Sequence, residues 1–478
     1  MRDYHIGAPS FPGRVLGGLS VLLIVAATVL GGATREGELL NAGVRILAVI
    51  LLLTAAFRLS GHGLRREWER PMMLAAAIAA LPLLQLVPLP PLVWSNLPGR
   101  GEIAEIYDAA GMPVPWHGVG LSPEGSLNAG FALLPGLAMF VAGLTLDARA
   151  RLTVAVAAVI VAFAGTLLGI AQVSDGPESS LRLYETTNSS AAVGFFSNRN
   201  HQASLQLVAM PLVAAIFLAW SRRNAGIKVG AVVAGGGLVI VLAVATVLSE
   251  SRAGMVLFFP VVVACVLLAL RDKLPRLSRE SLLVSAAFAA MGVLLAVGAA
   301  LWSRPEILEA LRDDARLRAL PIIAAETART LPFGTGLGTF DEIYRSREPV
   351  ETLSNAYLNH AHNDYLEVGL ETGLPGAALV ILFLLWMVRR SLEAWRAQGV
   401  EGDLASAGGI IIATLALHSL VDYPLRTAAL SALFGFACAL MLPFAGQKPP
   451  ESPEAPRPRR VRLPRGTRTR TWRTRRGS

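Results

Sequence analysis

Runs of about 20 apolar residues recur along this chain, and they constrain its fold more than any other feature. Each run is long enough to cross the roughly 30 Å hydrocarbon core of a bilayer as an α-helix. The composition agrees, because 53% of the 478 residues are hydrophobic and only 16% are charged. A soluble domain carries about 25% charged residues. The sequence therefore predicts an all-α polytopic membrane protein.

The apolar runs predict about 12 transmembrane helices and one long extracytoplasmic loop that contains helices of its own. Spans 1–9 fill residues 15–302, the long loop is 303–373, and spans 10–12 fill residues 374–446. The individual spans are expected at about 15–34, 44–57, 71–92, 126–146, 152–172, 202–220, 229–248, 255–270, 282–302, 374–388, 404–419 and 428–446.

The distribution of lysine and arginine predicts the orientation. An even number of spans puts both termini on one side, and roughly two thirds of the basic residues fall on that side, as expected for cytoplasmic segments. Segments 1–14 and 447–478 are thus expected in the cytoplasm, with the long loop on the periplasmic face of a bacterial inner membrane. The tail 447–478 has too little apolar content to fold, and its arginines favour anionic lipids. Because topology explains the net charge of +9, we expect membrane lipids and no nucleic acid as partners.

Few ionisable or metal-binding side chains lie inside the predicted spans. Cys265 and Cys438 both fall in apolar runs, where they are expected to be small core residues rather than a disulfide or a metal pair. His418 lies near the end of one span, and no acid lies in the middle of any. Ion-coupled transporters usually need such groups along their pathway, so the sequence favours a reaction at the periplasmic face of the membrane.

The run NHAHNDYLE makes His362 the first candidate for chemistry, with Glu367 among its neighbours. From Asp364 to Thr372 the loop is expected to turn helical and lead into span 10. An imidazole can take a proton from a hydroxyl near neutral pH, and its neighbours can set its tautomer. A solvated polar loop is the plain alternative. A zinc site with His360 and Asp364 is another, although no third ligand has convincing spacing.

Two arginines are candidates for binding an anion. Arg252 lies in a very tight turn between two spans, where desolvation calls for an anionic partner, and a phosphate matches the guanidinium fork. A snorkelling arginine is the alternative there. Arg316 taken alone would be one more surface arginine. The glycine run 334–338 resembles a phosphate-binding loop but lacks the P-loop lysine, so it is interpreted as a turn.

Further polar residues are expected on the outer face, each of them a weak signal when taken singly. We expect them to contribute to substrate binding. They are Asn198, Arg199, Asn200, His360, Asn363, Asp364, Asp422 and Arg426.

Several of these motifs together resemble those of O-antigen ligases and related O-antigen polymerases. His362-Asn363, nine residues and Gly373-Leu-Pro-Gly376 resemble the H-N-x9-G-x-x-G signature, and Arg316-x3-Leu320 resembles the R-x3-L element of the same loop. SESRAG at 249–254 resembles a Ser-Arg-Gly turn, with alanine where glycine is common. FGTGLGTF and GFFSNRNHQA also look typical of the family. The resemblance covers residues 190–445 and does not separate the branches.

The resemblance implies a metal-independent, inverting membrane glycosyltransferase without a cofactor. The donor would be a glycan on undecaprenyl pyrophosphate, and the acceptor would be a hydroxyl of lipid A-core or of a growing glycan. By the family pattern, Arg252 and Arg316 would hold the pyrophosphate, and His362 would activate or orient the acceptor hydroxyl. An exopolysaccharide polymerase and a protein O-oligosaccharyltransferase are alternatives within the superfamily. A polysaccharide-lipid flippase or transporter and a non-catalytic scaffold are alternatives of other classes.

Overall fold

The long apolar runs form α-helices in a computed structural model, which describes residues 11–34, 38–61, 65–223, 228–273, 314–353, 358–444 and 477. No β-strand occurs within these ranges. The helices are α1 (Phe11–Leu30), α2 (Glu38–Ser60), α3 (Arg66–Gln85), α4 (Pro91–Ser95), α5 (Gly101–Ala109), α6 (Pro123–Ala132), α7 (Leu134–Thr145), α8 (Ala148–Asp175), α9 (Arg199–Arg223), α10 (Lys228–Leu248), α11 (Arg252–Leu270), α12 (Ala315–Thr330), α13 (Phe340–Arg347), α14 (Asp364–Arg396), α15 (Gly399–His418) and α16 (Ala428–Leu440).

Eight helical segments in the described part of the chain are long and apolar enough to cross a membrane. They are Gly13–Leu30, Glu38–Ser60, Pro123–Thr145, Ala148–Asp175, Arg199–Arg222, Arg252–Leu270, Asp364–Arg396 and Gly399–His418. This confirms the all-α polytopic membrane class predicted from the sequence.

The remaining predicted spans have different outcomes. Spans 7 and 12 correspond to the shorter apolar helices Val233–Leu248 and Ala428–Leu440. Span 3 is helical as α3, but this helix starts in charged residues and contains two prolines. Span 9 and, apart from residue 477, the tail 447–478 lie outside the described residues. The total of 12 spans, the orientation and the domain boundaries therefore stay predictions.

Charged residues lie closer to the spans than the sequence analysis expected. Several helices extend beyond the predicted apolar runs, so α15 begins before Asp403 and α14 includes Glu367 and Glu371. All three carboxylates are fully buried. Asp403 accepts hydrogen bonds from Arg222 and Arg271, which gives the buried charge two cationic partners. These carboxylates lie outside the predicted spans 374–388 and 404–419, on helix ends that the apolar runs do not include.

Small residues let the membrane helices approach closely. A Cβ atom at Gly435 of α16 would lie 1.9 Å from the carbonyl oxygen of Gly136 in α7, so glycine is required at this crossing. Cys265 and Cys438 are free and buried, which confirms their prediction as core residues. The most deeply buried spans are α9 and α15. The N-terminus of α9 and the loop after α15 carry residues of the site described below.

Helix α14 is bent at the glycine signature. Asn363 caps its first turn by accepting a hydrogen bond from the Leu366 amide at 3.0 Å. After nine intervening residues, Gly373 has φ of 58° and breaks the helical conformation. A Cβ atom there would lie 2.1 Å from the carbonyl oxygen of Pro332, so the bend also needs glycine for space. The predicted helical segment from Asp364 that leads into span 10 is confirmed.

The glycine run 334–338 forms a tight turn, as predicted. Gly336 has φ of 110°, and a Cβ atom on it would lie 2.5 Å from Cα of Gly120. Arg100, which is fully buried, donates hydrogen bonds to the carbonyl oxygens of Val119 and Gly334. The loop after α5 therefore supports the turn that precedes α13, a contact between segments more than 200 residues apart.

Candidate active site

Three histidine rings surround Tyr423 in the loop between α15 and α16. The ring centroid of Tyr423 lies 5.0 Å from that of His201, 4.4 Å from His360 and 4.8 Å from His362. His201 comes from the first turn of α9, whereas His360 and His362 precede α14. Three separate segments thus meet at one aromatic side chain, and we call these four residues with Asp422 the histidine cluster.

His362 and Asp422 form a hydrogen-bonded pair. Nδ1 of His362 lies 2.8 Å from Oδ1 of Asp422, which is fully buried. Since an ionised carboxylate only accepts, Nδ1–H donates and a neutral His362 keeps the lone pair on Nε2. Burial alone would raise the pKa of Asp422, but the hydrogen bond from His362 and the field of His201 outweigh burial and hold that pKa below its usual range. Among the described residues Nε2 has no hydrogen-bond partner, so it can accept a proton.

The backbone of His362 is strained. Its φ of 49° lies in the left-handed region, which is uncommon for a residue other than glycine. Strain of this kind costs about 1–3 kcal/mol and persists where surrounding contacts impose it. Two such contacts are visible, the Asp422 hydrogen bond and the amide of Ala361, which donates to Glu367 at 2.7 Å. The loop therefore presents the imidazole in a fixed orientation.

The turn that carries Arg252 is fastened to the start of α9. Ser251 Oγ donates to Oδ1 of Asn200 at 2.8 Å and accepts from the Gly254 amide at 3.0 Å, capping α11. Glu250, two residues before Arg252, pairs instead with Arg199 at 3.4 Å. Arg252 is exposed at the first position of α11, without a hydrogen bond or ion pair to any described residue. An external anion could therefore bind it.

Arg316 lies in the first turn of α12. Asp314 caps this helix by accepting a hydrogen bond from the Arg316 amide at 3.0 Å. Burial and the charge of Asp422 raise the pKa of Tyr423, and the positive charge of Arg316 opposes that rise. Arg316 is thus close enough to act electrostatically on the histidine cluster. Its guanidinium makes no hydrogen bond or ion pair within the described ranges.

The polar residues at the start of α9 hold the cluster together. Asn198 accepts a hydrogen bond from the Asn200 amide at 2.8 Å, and its side chain opposes the rise in the pKa of Tyr423. Asn200 holds the Arg252 turn, and Arg199 pairs with Glu250. These three predicted substrate-binding residues are therefore engaged with the protein, and their contacts favour a positioning role.

Arg426 lies among three carboxylates of α14. It approaches Asp364 at 3.1 Å, Glu367 at 3.1 Å and Glu371 at 3.5 Å. Burial alone would lower the pKa of Arg426, but Glu367, Glu371 and Asp364 raise it above its usual value. The predicted binding residues Asp364 and Arg426 are thus paired with each other, and Asn363 is engaged as a helix cap. These three carboxylates neutralise Arg426, so we do not expect it to bind a phosphate.

His360 is held in its neutral form. Burial and the nearby charge of Arg426 lower the pKa of His360 to about 3. Nδ1 therefore donates its proton to Glu367 Oε1 at 2.8 Å, and Nε2 is left as an acceptor. Within the described residues, Nε2 of His360 has no partner.

A cavity of about 670 Å³, which we call the acid-walled cleft, adjoins the histidine cluster. Asn359 and His360 form part of its wall, two residues before His362. The remaining polar wall residues include Asn41, Arg45, Glu124, Asn128, Asp341, Glu342, Asp364, Glu367, Glu371 and Arg426. Its other end is apolar, with Leu133, Phe383 and Phe434 among the lining residues.

Sequence reasoning did not identify every residue of the site. His201 and Tyr423 were not named as site residues, although each lies in a polar run next to an apolar span, GFFSNRNHQA and HSLVDYPLRT. Glu367 was noted only as a neighbour of His362. In the described part of the chain there is no group of three or more His, Cys, Asp or Glu that could hold a metal ion.

One family model matches the chain over residues 237–381, and it is described as O-antigen ligase. The matched range contains Arg252, Arg316, His362 and the glycine signature at 373–376. It ends before Asp422 and Tyr423, so the partner of His362 lies outside it. No curated protein matches the chain.

Proposed function

We propose that this chain, which belongs to an O-antigen ligase-like family, transfers a glycan from undecaprenyl pyrophosphate to an acceptor hydroxyl at the periplasmic membrane face. The observation that carries the proposal is the His362–Asp422 pair, in which Nε2 of His362 is available. The positive charge of Arg316 acts on Tyr423 of the same cluster, and the Arg252 turn is fastened to the start of α9, beside His201. Glycosyl transfer from a pyrophosphate needs a proton acceptor and cationic groups near the leaving group.

The reaction follows from the protonation states of these groups. The acceptor hydroxyl gives its proton to Nε2 of His362, and its oxygen attacks the anomeric carbon of the donor. The bond between that carbon and the pyrophosphate oxygen breaks, so the anomeric configuration inverts and undecaprenyl pyrophosphate leaves with the electron pair. Asp422 stabilises the imidazolium, while Arg252 and Arg316 stabilise the negative charge that develops on the leaving group.

Neither a metal nor a cofactor is part of this proposal. Two guanidinium groups can provide the charge stabilisation that a divalent cation provides elsewhere. The remaining predicted site residues hold the cluster in place and complete the substrate surface. They are Asn198, Arg199, Asn200, His360, Asn363, Asp364 and Arg426.

The proposal places the chain in a bacterial inner membrane with both termini in the cytoplasm. Both substrates are anchored in lipid, so they reach the site laterally through the membrane. The acceptor is lipid A-core in a ligase and a growing glycan in a polymerase. An exopolysaccharide polymerase or a protein O-oligosaccharyltransferase would use the same groups with another acceptor.

A glycan profile of cells that lack this protein tests the proposal. The cells are complemented with wild type, with His362→Ala or with His117→Ala, a control histidine outside the cluster. We expect wild type and His117→Ala to restore long glycans and His362→Ala to restore none, at equal membrane expression. Lipid A-core without long glycan, together with accumulated long lipid-linked chains, identifies a ligase. Single repeat units on the core, or loss of a secreted polysaccharide, identify a polymerase. An unchanged profile in the deletion strain would contradict glycan transfer altogether.

A further inference from the structure

The acid-walled cleft has a charge that the transfer reaction itself does not explain. Six carboxylates line it, against Arg45 and Arg426 as the lining arginines. Arg426 is already bound to three of those carboxylates, and Asp341 pairs with Arg345 at 2.6 Å. Glu124 and Glu342 are exposed on the wall, without an ion pair to any described residue. The cleft is therefore electronegative, and a phosphorylated ligand inside it would be repelled.

The arginines proposed to hold the pyrophosphate do not line the cleft. Arg252 and Arg316 are both absent from its wall, and so is His362. The cleft instead ends at Asn359 and His360, beside the histidine cluster. In a glycosyl transfer, the donor and the acceptor must approach the catalytic groups from different directions. This arrangement leaves the cleft for the substrate that lacks the leaving phosphate at its reacting end.

Several polar groups of the cleft wall suit uncharged hydroxyls. His360, which lines the cleft, donates Nδ1–H to Glu367, and this leaves its Nε2 as an acceptor. Its pKa of about 3 keeps the ring neutral at pH 7, so it offers no charge to a phosphate. Asn41 and Asn128 add amide groups that can donate and accept. Neutral donors and acceptors of this kind are what a sugar needs.

The apolar end of the cleft continues into a slot between the membrane helices. A second cavity of about 130 Å³ shares Leu133, Phe383 and Phe434 with the cleft and reaches Ile78 and Trp386. Its lining consists of residues from α3, α7, α14 and α16, most of them apolar. A hydrocarbon chain fits such a slot, while its polar head stays in the cleft.

We propose that the acid-walled cleft is the acceptor site and that it selects a glycolipid whose sugars at the reacting end carry no phosphate. The inference rests on the proposed function and deepens it, because it names the chemical class of the acceptor. The polar wall binds the uncharged sugar, and the apolar slot holds a hydrocarbon chain. A phosphate-rich saccharide is excluded by the carboxylates of the wall.

Binding of two matched amphiphiles tests the proposal without turnover. The protein is placed in phosphatidylcholine nanodiscs as wild type and as His362→Ala, and empty nanodiscs correct for partitioning into lipid. The probes are octyl β-glucoside and octyl β-glucoside 6-phosphate, both below their micelle concentrations. We expect the uncharged probe to bind at least about tenfold more tightly than the phosphorylated one, a difference of about 1.4 kcal/mol.

Two sets of variants assign that preference to the cleft. Asn128→Trp narrows the wall and is expected to weaken binding of the uncharged probe by about tenfold. Glu124→Lys with Glu342→Lys is expected to reduce the preference to about threefold or less, because the repulsion is removed. Glu105→Lys with Asp108→Lys, an equal charge change on exposed residues outside the cleft, serves as the matched control and should keep the preference.

The outcomes separate this inference from the proposed function. Equal or tighter binding of the phosphorylated probe to wild type overturns the inference. Unchanged binding of the uncharged probe to an Asn128→Trp protein also overturns it, provided that this variant elutes like wild type in size-exclusion chromatography. Neither result affects the glycan profile of His362→Ala, which tests glycan transfer by itself. A normal profile in that variant would overturn the proposed function and, with it, the acceptor role of the cleft.

Discussion

At the scale of single residues, the proposed reaction requires a proton acceptor and a cationic group for the leaving anion. His362 bonds Asp422 through Nδ1, and its Nε2 has no partner among the described residues. Arg252 and Arg316 have no ionic partner among the described residues, unlike Arg426, which is held by three carboxylates. An arginine that the protein leaves uncompensated near a membrane surface suits an anionic substrate. This contrast distinguishes arginines that bind the protein from those available to a pyrophosphate.

Replacing either uncompensated arginine tests this distinction. We expect Arg252→Ala and Arg316→Ala each to lower kcat of glycan transfer by about 10²–10³, the loss usually seen when one stabilising group is removed from a transition state. Arg318→Ala is the matched control, since Arg318 is exposed two positions further along α12. The measurement is transfer of a lipid-linked glycan by purified protein. Wild-type kcat in either alanine variant would remove that arginine from the leaving-group site.

The neutral state of His360 predicts a pH dependence of stability. Its folded pKa of about 3 lies below the usual value of 6.5, so between those values the unfolded chain binds a proton that the folded protein excludes. This group leaves the free energy of unfolding unchanged above pH 6.5. Below pH 6.5 it lowers the free energy of unfolding by up to about 1.4 kcal/mol per pH unit, or on the order of 2 kcal/mol at pH 5. His360→Gln should remove this contribution. Thermal unfolding midpoints from pH 7 to pH 5 should fall less steeply in the variant. Parallel pH profiles would contradict the buried neutral assignment.

At the scale of elements, one helix explains why the histidine signature has its spacing. Asn363 caps α14, the next nine residues make two and a half helical turns, and Gly373 bends the helix where it meets Pro332. The helical segment between cap and bend carries Asp364, Glu367 and Glu371 on the side of Arg426. The signature thus fixes the length of the segment that places His362 above the membrane part of α14.

Gly373→Ala tests the need for the bend. A Cβ atom there would meet the carbonyl of Pro332 at 2.1 Å, and alanine at φ of 58° and ψ of −145°, a conformation adopted almost only by glycine, adds about 1–3 kcal/mol of strain. We expect a fall in the thermal unfolding midpoint together with a loss of glycan transfer. Gly369→Ala is the matched control on the same helix, because its Cβ would make only a 3.4 Å contact with Thr327. A Gly373→Ala protein as stable and active as the control would show that the bend can be accommodated without glycine.

The elements also show what a single sequence could predict. The apolar runs gave correct positions for most membrane helices, since length and hydropathy are local properties. They missed α4 and α5, because short helices in a mixed loop depend on contacts such as that of Arg100 with Gly334. They also placed the start of α15 too late, because Arg222 and Arg271 allow the buried carboxylate of Asp403 to extend this helix past its apolar run.

At the scale of the whole molecule, the site is assembled from segments that are distant in sequence. His362 and Asp422 are 60 residues apart, and Asn200 and Ser251 are 51 apart. The sequence named both members of the first pair as candidates, but no local pattern could show that they touch. His201 and Tyr423 were missed for the same reason, since only the packing of α9 against the loop after α15 turns them towards the cluster.

Removal of metal ions tests whether arginines alone stabilise the charge of the leaving group. The proposed mechanism places the stabilising charge on two arginines, which no chelator can remove, so EDTA should leave the rate of glycan transfer within about twofold of the untreated protein. The measurement is transfer by purified protein in nanodiscs after extensive dialysis against the chelator, followed by addition of Mg²⁺, Mn²⁺ or Zn²⁺. A lost rate that one of these ions restores would contradict the two-arginine mechanism. It would also assign His360, His362 and Asp364 to metal binding, with Asp422 then as an outer partner that orients His362.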